Sequence, residues 1–288
     1  MNKTKTMEMY SSIASRFYDR LGNPQYEVKC KTRDGMRKPT IRDARTNGWV
    51  PSVTTVLKML SKPSLDYWKS TQLLESALTH PMIGNSDIPV DDLVGNIIAD
   101  SNQVSREAME LGTKYHDEIE LLIGDRSKEN LVIPDGTRDS LYKLWDEMKL
   151  EPLYLEEAFA HTLGFGGRVD CIAVCDSKDA IGHCVIDWKT QSTKKGRKAN
   201  WYEDWSLQLA AYAHGIGEKL DNPDISNSHL ISVIISTTEI GRVEYKVWDN
   251  PVERWRLFSV VLDLWKSTLG TGTDLSFERN NDEQETKK

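Results

Sequence analysis

Two aspartates and a lysine stand where a strand-forming sequence has little use for them. Within residues 166–191, GGRVDCIAVCDSKDAIGHCVIDWKTQ, two β-branched apolar runs flank a polar turn; the first carries Asp170 and the second Asp187. An unpaired carboxylate is costly to bury, so such a group is paired, exposed at a strand end or bound to metal. Two carboxylates brought together repel, and a hard divalent cation relieves the repulsion. Lys189 follows Asp187 by two residues and so leaves the strand on the same face. An ammonium there can orient an attacking water or stabilise charge that builds up in a transition state. The hairpin therefore predicts a metal-dependent hydrolytic centre. A D-x-K triplet by itself is common and mostly reports a solvated ion pair, so the neighbouring residues decide.

The elements that must position these groups can be traced along the chain. PSVTTVLKML offers Ser52 as N-cap of a short helix, and SLDYWKSTQLLESALTH predicts a second helix ending before Pro81. From Val90 to about Leu122 runs a long helical region with Met109, Tyr115, Ile119 and Leu122 at helical spacing and Gly124 as its stop. RDSLYKLWDEMKL is another helix. The pattern then changes to strands: LYLEEAFAHTL, GGRVDCIAVC and GHCVIDWKT. A helix over WYEDWSLQLAAYAHGIG, the strands HLISVIIST and RVEYKVW, and a helix from Val252 to about Leu269 complete the order. Residues 1–50 read as irregular apart from a hairpin, YEVKCKTRDGMRKPTI, turning at Asp34-Gly35. This succession describes an α/β layer with a mixed sheet and no internal repeat. It predicts one domain over residues 1–278: an N-terminal extension 1–50, a helical part 51–150, an α/β core 151–250 and a C-terminal helix 251–269. A disordered polar tail, 279–288, follows.

A net charge of −7 excludes a uniformly basic surface, so a nucleic-acid ligand requires a local basic groove. STKKGRKANWYEDW supplies Lys194, Lys195, Arg197 and Lys198, followed by Trp201, Tyr202 and Trp205. Cations interleaved with aromatics suit a phosphate track with base stacking; the same composition also suits a solvated loop. RKPTIRDAR is a second basic segment. Cys30, Cys171, Cys175 and Cys184 lack the spacing of a disulfide framework and follow no secretory signal, which favours a reducing, intracellular setting. Cys171 and Cys175 share strand parity and read as small buried hydrophobes rather than as zinc ligands with His183 and Cys184. The start of the chain mixes basic and hydroxyl residues with Glu8 and Asp19, which gives a mitochondrial transit peptide little support. No apolar run reaches membrane-spanning length, and no Walker A sequence marks a motor.

Taken in order, Glu156, GFGGRVD ending in Asp170, VIDWKT with Asp187 and Lys189, and QLAAY with Gln208 and Tyr212 resemble the motifs of the PD-(D/E)XK nucleases. The Q-x-x-x-Y pattern, and GTKYHDEIE with His116 upstream, are similar to the RecB-like exonuclease branch, and among its members to the mitochondrial genome maintenance exonucleases and their phage relatives. The resemblance covers residues 50–215 and rests on five motifs in the right order. It implies a restriction-endonuclease-like α/β core, with a central mixed β-sheet flanked by helices and an N-terminal helical region. It implies Mg²⁺ or Mn²⁺ held by Asp170, Asp187, His116 and the Trp188 carbonyl, with Asp170, Asp187, Lys189 and Glu156 as the catalytic set. An imidazole ligand favours Mn²⁺, although a histidine among Asp117, Glu118 and Glu120 also suits a helix surface. Strand alternation lets only one of Glu156 and Glu157 face the site, and the family alignment selects Glu156. Gln208 and Tyr212 share a helical face from which they grip phosphate, position Lys189 or pack into the core. Arg168 is assigned to the face opposite Asp170, in a structural role. No cysteine follows Cys184, so the iron–sulfur cluster that some members of the branch carry is not expected.

The activity implied is metal-dependent DNA exonuclease action at ends, with single strands or overhangs preferred. A flap or structure-specific endonuclease of the same fold and a catalytically silent nucleic-acid-binding module are the alternatives. Intact Asp170, Asp187 and Lys189 count against the silent module. The implied partner is DNA and not a membrane; a recombinase, polymerase or single-strand-binding protein is left unspecified.

Overall fold

The computed structural model describes residues 17–30, 34–83, 88–124 and 131–269. The stretch where a transit peptide would lie, up to residue 16, and the tail 279–288 fall outside the described residues. In chain order the elements are β1 (Phe17–Tyr18), β2 (Pro24–Gln25), β3 (Val28–Lys29), β4 (Met36–Arg37), α1 (Ile41–Asn47), β5 (Val50–Pro51), α2 (Val53–Val56), α3 (Pro63–Thr79), α4 (Val90–Gly124), α5 (Asp135–Met148), β6 (Glu151–His161), β7 (Phe165–Asp176), β8 (Ile181–Gln191), α6 (Glu203–Lys219), α7 (Pro223–Ser226), β9 (His229–Ser236), β10 (Val243–Trp248) and α8 (Pro251–Leu269). They fall into two compact units, residues 60–115 and the remainder of the chain.

The larger unit is built on a five-stranded sheet of order β10-β9-β8-β7-β6. β6, β7 and β8 form an antiparallel meander, β9 lies parallel to β8, and β10 closes the edge antiparallel to β9. A parallel pair needs a crossover, which α6 and α7 supply. β9 is buried from Leu230 to Ser236, as a strand covered on both faces must be. Trp188 meets Trp145 of α5 edge-on, while its neighbour Asp187 bonds Gln208 of α6. Adjacent strand residues point to opposite faces, so α5 and α6 cover the two sides. This is the restriction-endonuclease-like arrangement, a mixed sheet flanked by helices.

Two glycines bring α6 close to the sheet. A Cβ on Gly215 would stand 2.0 Å from the Phe159 ring, and one on Gly167 would stand 2.8 Å from the Tyr212 ring. The third glycine of GFGGRVD therefore clears space for the tyrosine of QLAAY.

The basic segment RKPTIRDAR is not irregular: it holds α1. The side chain of Asp43 at the third helical position accepts the Thr40 N–H at 2.7 Å, and Gly48, at φ 65°, ends the helix. Arg37 is committed to Asp43 at 2.7 Å. The hairpin expected around Asp34-Gly35 is present as β3 and β4.

In the smaller unit, His80, just past the end of α3, pairs with Asp100 of α4 at 3.6 Å. Met109, at helical spacing with Tyr115, Ile119 and Leu122, is exposed, whereas those three are buried. From His116 onward α4 belongs to the larger unit. There Ile119 and Leu122 are fully buried, and the Glu118 carboxylate accepts the backbone N–H groups of Val132 and Ile133, the latter at 2.7 Å. That clamp fixes the helix end carrying His116. Among the described residues no helix is long and apolar enough to cross a membrane.

Candidate active site

β7 and β8 pair only inward of Cys171↔Ile186; one step beyond, at Asp170 and Asp187, the ladder stops. There the Asp170 side chain takes over from the backbone, its Oδ2 accepting the Trp188 N–H at 2.9 Å. The strands part at this point, and the fork collects the polar residues. His116 Nδ1 stands 3.4 Å from Asp170 Oδ2. One donor atom each from His116, Glu156 and Asp170 lies within 4.8 Å of the other two.

Glu156 reaches this group through an unusual backbone. Its φ is 51°, the left-handed region, which costs a non-glycine residue about 1–2 kcal/mol. The twist breaks the simple alternation of β6. Glu156 meets Arg168 Nε at 2.8 Å, while Glu157 turns away to Lys219 at 2.5 Å. The assignment of Arg168 to the face opposite Asp170 is corrected here: the two residues are an even step apart on one strand and share a face. That parity was available in the sequence.

Burial, and then the charge of Asp170, push the Glu156 carboxyl up to about 8, with Arg168 pulling the other way. Burial also raises Asp117. Negative charge is thus crowded around three convergent N and O donors, an arrangement that fits a divalent cation. Glu156, expected as a catalytic acid, is by geometry also one of the donors.

Asp187 is placed differently. It is 2% exposed, and its carboxylate is engaged by Lys189 Nζ at 2.6 Å and by Gln208 Nε2 at 2.9 Å. It is not one of the three donors that converge. Burial pushes its carboxyl up to about 6 against the pull of Lys189. Gln208 ties the group together: Nε2 also donates to the Tyr212 hydroxyl at 2.9 Å, and Oε1 accepts from Lys189 at 3.3 Å. Tyr212 is buried edge-on against Phe159, and burial holds its phenol well above its ordinary range. Gln208 and Tyr212 therefore aim their polar atoms at Asp187 and at each other.

The Trp188 N–H points to Asp170, and a strand residue's N–H and C=O leave on the same edge, so its carbonyl faces that side too. Lys194, Lys195, Arg197 and Lys198 are exposed on the loop that joins β8 to α6. Trp201 packs edge-on to Trp205, whose ring lies 5.7 Å from Lys189 Nζ. Cys171, Cys175 and Cys184 are buried in β7 and β8.

A search of curated proteins finds no match. Among solved structures, one titled "Crystal structure of SSO0001" is 16% identical, covering 69% of this chain and 86% of that one, with a TM-score of 0.28, too low to carry an argument. A sequence model described as the PD-(D/E)XK nuclease superfamily matches residues 99–274. That span is more than half of the chain and contains His116, Glu156, Asp170, Asp187, Lys189 and Gln208. The chain belongs to the PD-(D/E)XK nuclease superfamily, whose members typically depend on a divalent metal ion.

Proposed function

We propose that this nuclease is a metal-dependent DNA exonuclease that hydrolyses phosphodiester bonds from DNA ends and prefers single strands or overhangs. The fork between β7 and β8 carries the reading, with three convergent donors on one side and Lys189 held between Asp187 and Gln208 on the other. The exonuclease assignment draws on the resemblance of GTKYHDEIE and QLAAY to the RecB-like branch.

His116, Glu156 and Asp170 would hold Mg²⁺ or Mn²⁺, with the Trp188 carbonyl as a further oxygen donor; such an ion neutralises charge on the scissile phosphate and lowers the pKa of a water. Lys189 offers its ammonium to the charge that develops on the phosphoryl oxygens, or to the attacking water. Asp187 holds that ammonium in place and, ionised, adds negative charge beside Asp170. Gln208 fixes both partners from behind, and Tyr212 fixes Gln208. These two are positioning residues rather than groups that grip DNA. Arg168 steadies the Glu156 carboxylate. Lys194, Lys195, Arg197 and Lys198 take the DNA backbone, and Trp201 lies at the base of that track.

The test is cleavage of end-labelled linear and closed circular DNA, single- and double-stranded, with Mg²⁺, Mn²⁺ or EDTA, by wild type and Asp187→Asn. Cation-dependent trimming of linear substrates, abolished in Asp187→Asn while DNA binding persists, is expected. Cleavage of closed circles would overturn the exonuclease reading in favour of a structure-specific endonuclease. Binding without cleavage under every cation would make the chain a silent module.

A further inference from the structure

Resting on that reading, we propose that residues 192–200 form a prefolded strap for the phosphodiester backbone of a single strand, and that Thr193, Glu239 and Arg242 are its positioning residues. The loop joins the strand carrying Asp187 and Lys189 to the helix carrying Gln208, so both of its ends lead into the active site. Four cations in the five residues Lys194–Lys198 repel one another, and an unsupported loop of that composition would spread out. Here it is built. The Gln191 side chain closes its base, accepting the Asn200 N–H at 2.9 Å and donating to the Asn200 carbonyl at 3.1 Å. Arg197 N–H turns back to the Lys194 carbonyl at 2.9 Å around Gly196, at φ 75°. The Arg242 guanidinium donates to both turn carbonyls, Arg197 at 2.7 Å and Lys194 at 3.3 Å.

Arg242 is itself held by Glu239 at 2.5 Å and Glu244 at 2.7 Å. Glu239 also accepts the Thr193 hydroxyl, which lies 2.7 Å from the Ser236 hydroxyl. Thr238 closes the lattice: its Oγ1 accepts the Thr193 N–H at 2.9 Å and donates to the Thr193 carbonyl at 2.7 Å. Thr193 and Ser236 are buried, so these bonds form away from water, where leaving them unmade would be costly. Lys194, Lys195, Arg197 and Lys198 are exposed, and among the described residues only Lys195 comes near enough to an acid, Glu239, to help hold its carboxyl below the usual range. Four exposed cations on a fixed loop, with one acid close to one of them, in a chain of net charge −7 call for a polyanion, and ordering the loop beforehand spares the entropy that binding would otherwise cost.

The proposal separates from simple charge attraction by sign. Binding of a fluorescein-labelled single-stranded oligonucleotide of about 20 nucleotides is followed by anisotropy in EDTA across a salt series, so it does not depend on cleavage. Glu239→Ala removes a negative charge; attraction alone tightens binding, whereas loss of the lattice should weaken it about fivefold. Thr193→Val changes no charge and should weaken binding about threefold. Arg242→Lys should recover part of what Arg242→Ala loses, and in wild-type-like cleavage conditions these losses should fall on KM more than on kcat. Lys194→Ala with Lys198→Ala should lower the salt slope by about 1.4, at about 0.7 per single-strand phosphate contact. Tighter binding by Glu239→Ala overturns the positioning role, as does unchanged affinity in Thr193→Val should Glu239→Ala not fold. An unchanged salt slope in the double lysine variant overturns the strap. Wild-type binding with the full slope but without cleavage leaves the strap standing and removes the nuclease reading.

Discussion

Gln208 donates to Asp187 at 2.9 Å, joining the N-terminal half of α6 to β8 where its pairing with β7 stops, and the other end of the same amide accepts from Lys189 at 3.3 Å. The amide can donate to the carboxylate and accept from the ammonium at once without changing its charge state. Gln208→Ala should lower kcat about 10- to 100-fold with little change in DNA affinity. Gln208→Glu should be worse, because it replaces the donor facing Asp187 with a second negative charge in a buried site. Single-turnover rates of the two variants, with oligonucleotide binding measured separately, check the order.

If Lys189 faces the scissile phosphate as proposed, it should act on the transition state more than on ground-state binding. Lys189→Ala is expected to cost about 100- to 1,000-fold in kcat while KM stays within a few-fold. A variant with only a raised KM would make Lys189 a phosphate anchor instead.

His116 brings a nitrogen to a donor group whose other members, Glu156 and Asp170, offer oxygens. Mn²⁺ accepts imidazole more readily than Mg²⁺ does. Wild type should be at least as active with Mn²⁺ as with Mg²⁺, and His116→Ala should erode the Mn²⁺ advantage most. Titrating each ion against both proteins decides it; an unchanged Mn²⁺/Mg²⁺ activity ratio would take His116 out of the metal site.

The raised carboxyls make stability depend on pH and cation together. Asp187 is shifted from 3.8 to about 6 and Glu156 from 4.5 to about 8, in both cases chiefly by burial. Over those intervals the folded chain binds more protons than the unfolded chain. Without a divalent cation, these two carboxyls should therefore contribute stability that is lost as pH rises from about 4 towards 8, partly offset below about 6.5 by the buried His214, whose imidazole is pushed down to about 4. A cation favours the ionised carboxylates and releases their protons, so the gain in melting midpoint on adding Mn²⁺ should be small near pH 5 and reach several degrees near pH 8. Thermal melts in EDTA and in Mn²⁺ across that range measure it, and a gain that shrinks with rising pH would contradict the assignment.

Periodicity and turn chemistry determine most of the elements. The runs that became β7 to β10 carry β-branched residues and are bounded by turns, and α4 and α6 carry helical spacing, so local preference and tertiary packing agree. The Thr40–Asp43 cap of α1 was equally readable and lies in a segment otherwise read as irregular. The family motifs placed His116, Glu156, Asp170, Asp187 and Lys189 on the right elements, because each motif is local to one element.

Three features came only with the tertiary structure. Alternation cannot foresee the left-handed turn at Glu156, because a residue takes that conformation only when its surroundings hold it, here through Arg168. The direction of the Gln208 amide depends on how closely α6 approaches the sheet, which Gly167 and Gly215 allow through contacts made far along the chain. The sequence leaves the basic loop between a phosphate track and a solvated loop, because the residues that hold it, Glu239 and Arg242, lie about 40 positions beyond it. Local spacing records which face a residue takes on its own element. Which buried carboxylates share a fork, and which meet a cation first, is set by contacts between elements that no local pattern encodes.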